Sequence, residues 1–187
     1  MSPAEAVQLV SAFNPSGDGL AEKSCELVLG MLADTPHPFS RDQFTPGHIT
    51  CTALVFHPSR EAVLFMHHHR LKRWLLPGGH VEPGDASLPA SAAREAREET
   101  GVRLDESARP VLAGIDVHGI PARKTEPFHL HHDLIWCFWA LSEQIETTEE
   151  ALEVRWAAPS EWDELGLAIS IRRSILRAGA ALSGARR

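Results

Sequence analysis

The stretch that decides the fold of this chain is Gly78–Val102, which reads GGHVEPGDASLPASAAREAREETGV. Its second half has the residue types that begin and end helices. Ser87 is a good N-cap residue, and Gly101 suits the left-handed position that follows a helix. The pattern therefore predicts a helix from Leu88 to Thr100, preceded by a glycine-rich loop.

Three carboxylates on the predicted helix stand at positions i, i+3 and i+4 and share one face: Glu95, Glu98 and Glu99. Like charges at this spacing repel each other by about a few tenths of a kcal/mol per pair, so the cluster favours a bound cation. Hard divalent cations such as magnesium prefer oxygen ligands, often carboxylates together with substrate phosphates. The sequence thus predicts a magnesium and phosphate site. The alternative is a solvent-exposed helix with ion pairs, because Arg94 and Glu98 stand at i and i+4.

This segment resembles the Nudix box, the signature of the Nudix hydrolases. Gly79 opens the box, and the remaining matches are Arg94, Glu95, Ala96, Glu98, Glu99, Gly101 and Val102. Two departures are visible. The first glutamate of the box is Asp85 here, and eight residues rather than seven separate it from Arg94. We place the extra residue at Ala86, in the loop, where it leaves the register of the helix intact.

The resemblance implies a magnesium-dependent pyrophosphohydrolase, with manganese as an alternative metal. The implied metal ligands are Gly79, through its backbone, and the carboxylates of Glu95, Glu98 and Glu99. The resemblance also implies that Arg94 orients these carboxylates by ion pairing. A box glutamate or a later loop glutamate would be the general base, and Glu149 and Glu150 are the loop candidates. The implied catalytic set is Arg94, Glu95, Glu98, Glu149 and Glu150.

Residues around the box are candidates for binding a phosphorylated substrate. Arg70 and Arg73 precede the box and could hold phosphate oxygens, whereas the alternative is ordinary solvated charge. Trp74 is the candidate for stacking on a base, although tryptophans next to strands are more often core residues. The substrate-binding candidates are Arg70, Arg73, Trp74, His80, His129 and His131.

Histidines are unusually frequent, at 11 in 187 residues. We expect His67, His69, His129 and His131 to lie on two strands that flank the site. If they converge, they form either a second metal site or a neutral-to-cationic surface for phosphate. We favour the phosphate surface, because besides Asp133 no cysteine or carboxylate set completes a transition-metal shell. The remaining alternative is ordinary surface or core histidine.

The composition is that of a soluble globular protein, with 43% hydrophobic and 23% charged residues. A net charge of −7 disfavours a stable nucleic-acid partner. Three isolated cysteines fit reduced thiols in a cytoplasm, and no segment predicts export or a membrane span.

Periodicity predicts helices over 3–13 and 19–34, which form a hairpin extension over residues 1–44. This extension would pack on the following domain or on a second subunit, so a homodimer is one expectation. Residues 45–187 would form the Nudix-type domain, an α/β/α sandwich around a mixed sheet. Strands are predicted near 49–56, 62–68, 111–118, 132–141 and 153–157, and helices over 160–165 and 168–182.

Substrate identity is narrowed only by resemblance. The chain has no tyrosine, which the Nudix diadenosine polyphosphate hydrolases typically carry beyond the box. Val117 and His118 stand where the ADP-ribose group typically has a proline, and the tracts typical of the NADH and coenzyme A groups are missing. The substrate that remains is a nucleoside diphosphate linked to another group, which includes a (d)NTP or an oxidised nucleotide. The alternative function is a non-catalytic Nudix-like nucleotide-binding or regulatory module, and intact box glutamates argue against it.

Overall fold

The computed structural model describes residues 1–185, with side chains described as far as residue 180. Within that range the strands form one seven-stranded mixed sheet. The strands are β1 (Gly47–Phe56), β2 (Val63–His68), β3 (Trp74–Leu75), β4 (Gly78–His80), β5 (Val111–Ile120), β6 (His129–Trp139) and β7 (Ala151–Ala157). The central strands β1 and β6 are parallel, and the other pairs are antiparallel.

Helices cover both faces of this sheet. They are α1 (Pro3–Ala12), α2 (Gly19–Asp34), α3 (Leu88–Thr100) and α4 (Ile169–Ala185). Apolar residues of α2 and α3 share one core with one face of β1 and β6, whereas α4 packs in a second core on the opposite face. The predicted α/β/α sandwich around a mixed sheet is therefore confirmed.

The prediction of a helix over residues 160–165 is wrong. The structure has a single 3₁₀ turn at Pro159–Glu161, followed by further turns. The carboxylate of Glu161 folds back and accepts the backbone N–H of Ala158 at 2.7 Å. Gly166 then takes a left-handed φ of 60°, so the chain turns away before a full α-helical turn can be completed.

The N-terminal hairpin packs on the domain. Its first helix begins with reciprocal hydrogen bonds between Ser2 and Glu5, the arrangement typical of a strong helix start. Val28 and Met31 of α2 are buried in the same core as Trp136 of β6. We expected the hairpin to pack on the following domain or on a second subunit, and the structure shows that it packs on the domain. The boundary at residue 44 and the homodimer stay predictions.

The two ends of the chain are tied together by ion pairs. Asp18, the N-cap of α2, accepts hydrogen bonds from Arg173 and Arg177 of α4, the latter at 2.9 Å. Arg177 also donates to the backbone oxygen of Ala113 in β5 at 2.8 Å. A partly buried arginine thus joins three elements that are far apart in the sequence.

Strand β1 pairs with different strands along its length, and this pairing positions the candidate site. β1 pairs with β2 at Phe56 and Val63, at the carboxyl end of β1. Nearer its start, β1 pairs with β4 instead, so that Thr50 lies opposite His80 and Cys51 lies opposite Gly79. The glycine-rich loop is therefore held against the middle of the sheet.

The sequence also led to expectations about the cysteines and about membrane-spanning helices. Cys25, Cys51 and Cys137 are free thiols. In the part of the chain that the structure describes, no helix combines the length and the apolar character needed to cross a membrane.

Candidate active site

Local sequence fixes both ends of α3, the helix that carries the carboxylates. At its start, Ser87 Oγ accepts the backbone N–H of Ala90 at 3.3 Å. At its end, Gly101 takes a φ of 63° and donates its N–H to the Arg97 oxygen at 2.9 Å. An added Cβ at Gly101 would lie 3.0 Å from Glu146 Cβ, so glycine suits this position for two reasons. The predicted bounds, Leu88 to Thr100, agree with the structure.

The three box glutamates differ strongly in their surroundings. Glu98 is exposed, Glu95 is largely buried, and Glu99 is only 4% exposed. Glu99 Oε2 accepts the backbone N–H of Gly78 at 2.8 Å. Burial, with the nearby carboxylates of Glu95 and Glu150, raises the pKa of Glu99 to about 8 despite that hydrogen bond. Burial likewise raises the pKa of Glu95.

Gly79 lies directly against these carboxylates. A Cβ added at this position would come within 2.6 Å of Glu95 Oε1. A side chain there would displace the Glu95 carboxylate, so glycine lets the backbone of the loop and that carboxylate face the same bound ion. This close approach supplies a physical reason for the glycine that opens the box.

Arg94 organises the loop and the helix. Its guanidinium donates to the backbone oxygen of His80 at 2.9 Å and to one carboxylate oxygen each of Glu95 and Glu98, both at 3.0 Å. It also forms a two-point contact with Asp85, through Nε at 3.0 Å and Nη2 at 3.1 Å. Planar two-point contacts of this kind are among the strongest ion pairs in proteins.

Asp85, the residue that departs from the box pattern, is well placed in the structure. Besides its contact with Arg94, it accepts the backbone N–H of Glu82 at 2.8 Å. Burial opposes its ionisation, yet these hydrogen bonds hold the pKa of Asp85 below its usual value. The longer loop brings the shorter side chain within reach of Arg94, so Asp85 contacts the helix α3 through that arginine.

Of the two loop glutamates, Glu150 joins the carboxylate cluster. Thr148 Oγ1 donates to the backbone oxygen of Glu99 at 3.0 Å, which holds this loop against the end of α3. Glu150 is close enough to raise the pKa of both Glu95 and Glu99. Glu149 is exposed, and within residues 1–185 its side chain forms no hydrogen bond or ion pair.

The candidates that precede the box surround the strand β3. Arg70 and Arg73 are exposed. Trp74 is partly buried, with the guanidinium of Arg155 4.8 Å from its ring centroid and the ring of His67 at 5.2 Å. It also packs against the second core. Much of the ring of Trp74 is therefore in contact with protein.

The histidines converge in a different combination from the one expected. His129 and His131 of β6 lie together, with ring centroids 5.2 Å apart, and their neighbours include His48 of β1, His80 of β4 and His118 of β5. His67 lies against Trp74 instead, and His69 is exposed. His67 and His69 therefore do not converge with His129 and His131, because β2 diverges from β1 and β4 takes the place beside it.

Sequence reasoning missed His48. It stands one residue before the apolar run that predicts the first strand, and its partner across the parallel pair, His131, lies 83 residues later. Burial and neighbouring histidines lower the pKa of His80 to about 4 and of His131 to about 2. Both shifts favour the uncharged forms of these rings, and the phosphate surface stays a prediction.

Comparison with known proteins shows the family of this chain. Residues 47–178 match the family model described as NUDIX domain, and the chain belongs to the Nudix family.

Solved structures of the same fold include a Caenorhabditis elegans Ap4A hydrolase, at 14% identity and a TM-score of 0.51, covering 73% of this chain and 98% of that one. The NUDIX domain of Shewanella oneidensis NrtR, complexed with ADP ribose, is 21% identical with a TM-score of 0.52, covering 82% and 97%. RenU, a Nudix hydrolase from M. smegmatis, is 18% identical with a TM-score of 0.51, covering 73% and 86%. At these identities the likeness concerns the fold.

Proposed function

We propose that this protein is a magnesium-dependent pyrophosphohydrolase that cleaves a nucleoside diphosphate linked to another group. The observation that carries the proposal is the buried carboxylate of Glu99. Its neighbours include the carboxylates of Glu95 and Glu150, and it accepts the backbone N–H of Gly78. Such a group is costly to ionise unless a cation lies beside it.

The donor set fits a hard divalent cation. Glu95, Glu98 and Glu99 offer carboxylate oxygens, and the backbone of Gly79 approaches the same place. Magnesium is commonly bound by one or two protein carboxylates together with substrate phosphates, and manganese accepts the same ligands. When bound, the cation would neutralise phosphate charge and lower the pKa of the attacking water.

The remaining chemistry is assigned to side chains of this chain. Glu150 is our candidate for the base that accepts the proton of the attacking water, with Glu149 and the box glutamates as alternatives. Arg94 holds Glu95 and Glu98 in position, and Asp85 holds Arg94. The water oxygen forms a bond to one phosphorus, the bridging P–O bond breaks, and the leaving phosphate takes the electron pair.

A nucleotide-type substrate is the class that we favour. ADP ribose, which the Shewanella domain binds, is itself a nucleoside diphosphate linked to another group. The C. elegans enzyme is described as an Ap4A hydrolase. For this chain, (d)NTPs and oxidised nucleotides also stay candidate substrates, because they too contain a nucleoside diphosphate linked to another group. Arg70, Arg73, Trp74, His129 and His131 are candidates for contact with the part of the substrate beyond the diphosphate.

The test is a product-release assay over a panel of nucleotides. Purified protein is incubated with ADP ribose, diadenosine polyphosphates, (d)NTPs and 8-oxo-dGTP, with magnesium, with manganese or with EDTA. We expect metal-dependent cleavage of a phosphoanhydride bond in at least one compound. Glu98→Gln should lose this activity, whereas Glu106→Gln, the same change at an exposed glutamate outside the site, should retain it.

Two results would argue against the proposal. Cleavage that persists in EDTA would separate the activity from the carboxylate centre. Nucleotide binding by calorimetry without cleavage of any compound would favour the alternative function, a non-catalytic nucleotide-binding or regulatory module.

A further inference from the structure

Three histidines from three strands meet on one face of the sheet. His48 of β1 lies opposite His131 of β6 in the parallel register, and His80 of β4 lies opposite Thr50, two residues from His48. Alternation along β1 places His48 and Thr50 on the same face, and paired residues share a face. The ring centroids of His48, His80 and His131 are 5.0–5.2 Å apart.

His48 has an unprotonated and unpartnered ring nitrogen. Its Nδ1–H donates to the backbone oxygen of Gln43 at 3.1 Å, which leaves the lone pair on Nε2. His48 is 1% exposed, and Nε2 has no hydrogen-bond partner. A buried polar atom without a partner destabilises the fold unless it binds something. Histidines that bind metals usually donate their other ring N–H to a carbonyl or carboxylate, as His48 does.

The distances suit a tetrahedral transition-metal ion. One nitrogen from each of the three rings lies within 4.8 Å of the other two. Zinc–nitrogen bonds of about 2.0–2.1 Å place tetrahedral ligand nitrogens about 3.3 Å apart. Shifts of about 1 Å or less at each nitrogen therefore close the rings on an ion. His80 and His131 are partly exposed, so an ion and a water molecule can reach the group from solvent.

We infer that His48, His80 and His131 form a binding site for Zn²⁺, with water in the fourth position. Three imidazoles and an open position make a known type of zinc site. His129 borders the site, since its ring lies 5.1 Å from His48 and 5.2 Å from His131. Its Nδ1–H donates to the backbone oxygen of Pro127 at 2.9 Å, so its Nε2 also carries a lone pair.

The zinc site is distinct from the proposed magnesium centre. Gly79 faces Glu95 of α3, and the next residue, His80, points to the opposite face of the sheet, as alternation requires. The two sites also differ in their preferred metals, because imidazole suits zinc, copper, iron and nickel, whereas magnesium prefers oxygen ligands. The inference does not rest on the proposed function, since zinc can be measured without any enzymatic activity.

The first measurement is the metal content of the full chain. Protein purified without a metal-chelate resin is analysed for metals, then stripped with a chelator and titrated with zinc against a chromophoric competitor. We expect one zinc per chain. His80→Ala and His131→Ala should each weaken zinc binding by more than the roughly 10–100-fold that loss of a ligand's hydrogen-bond partner costs. Cobalt in place of zinc should give the intense visible bands of a four-coordinate ion.

His67→Ala is the matched control, because His67 lies on a strand of the same sheet but packs against Trp74. It should retain zinc, and so should Glu98→Gln, which alters the carboxylate centre. Circular dichroism establishes that the variants fold, and His80→Gln replaces His80→Ala if the latter does not. Failure of the wild type to bind zinc or cobalt overturns the inference. Unchanged zinc binding in both histidine variants, or loss in Glu98→Gln, also overturns it.

Discussion

Replacing Glu99 with glutamine should stabilise the metal-free protein at alkaline pH while it removes a proposed metal ligand. Burial and neighbouring carboxylates raise the pKa of Glu99 from an ordinary 4.5 to about 8. Between these values the folded state binds more protons than the unfolded state, so stability falls as pH rises. At about 1.4 kcal/mol per pH unit, the loss from pH 5.5 to pH 8 is about 3 kcal/mol. Glutamine carries no charge, and its oxygen can still accept the N–H of Gly78.

The assay is thermal unfolding of wild type and Glu99→Gln in EDTA, at several pH values between 5.5 and 8. At about 2–4 °C per kcal/mol for a chain of this size, the wild type should lose roughly 6–12 °C relative to the variant as pH rises. Glu98→Gln is the control, because it removes a charge from the same helix at an exposed position. Magnesium should raise the Tm of the wild type at pH 8 and change that of Glu99→Gln little.

Parallel pH profiles for wild type and Glu99→Gln in EDTA would refute this reasoning. They would mean that ionised Glu99 is accommodated without a cation. A magnesium-induced rise in Tm of equal size in both proteins would separately remove Glu99 from the proposed ligand set.

Three further substitutions test other parts of the site. Glu98→Gln should lower kcat at saturating magnesium by about 100-fold or more with the fold retained, because it removes a proposed metal ligand; steady-state kinetics and circular dichroism measure this. Asp85→Ala should lower kcat less than Glu98→Gln in the same assay, since Asp85 acts through an arginine; a greater loss would indicate direct contact with the metal. Gly79→Ala should weaken magnesium binding by about tenfold or more in calorimetry, because its Cβ would lie 2.6 Å from Glu95 Oε1. Gly84→Ala is the control, since a Cβ there meets nothing within 4 Å, and equal binding by the two variants would contradict the expectation.

Local signals predicted α3 well. Ser87 and Gly101 fix the ends of this helix through contacts within a few residues, so the sequence alone was sufficient for its bounds. The strands β3 and β4 were missed, because two or three residues are too few to show a periodic pattern. The turn at Pro159–Glu161 was mistaken for a longer helix because a proline and a glutamate also begin helices.

The candidate site was predictable only where its residues are close in sequence. The shared face of the glutamates of α3 follows from helical spacing. The ion pair of Arg94 with Glu98 follows from their i, i+4 spacing in the sequence. The histidine group depends on the parallel register of β1 and β6, which brings His48 beside His131 across 83 residues. No local pattern encodes that register, and the divergence of β2 from β1 is equally invisible in the sequence.

The ion pair between Asp18 and Arg177 spans 159 residues, which has a consequence for the order in which the molecule matures. The N-terminal helices emerge first during synthesis, yet their partners in α4 are made last. Closing such a long chain segment costs conformational entropy that local contacts cannot offset until the sheet exists. The ion pairs of Asp18 therefore form only after the carboxyl-terminal helix is made, whereas the apolar face of α2 packs on the sheet without it. A chain cut before α4 would leave Asp18 without these two arginines, and its N-terminal segment would be the first part open to protease.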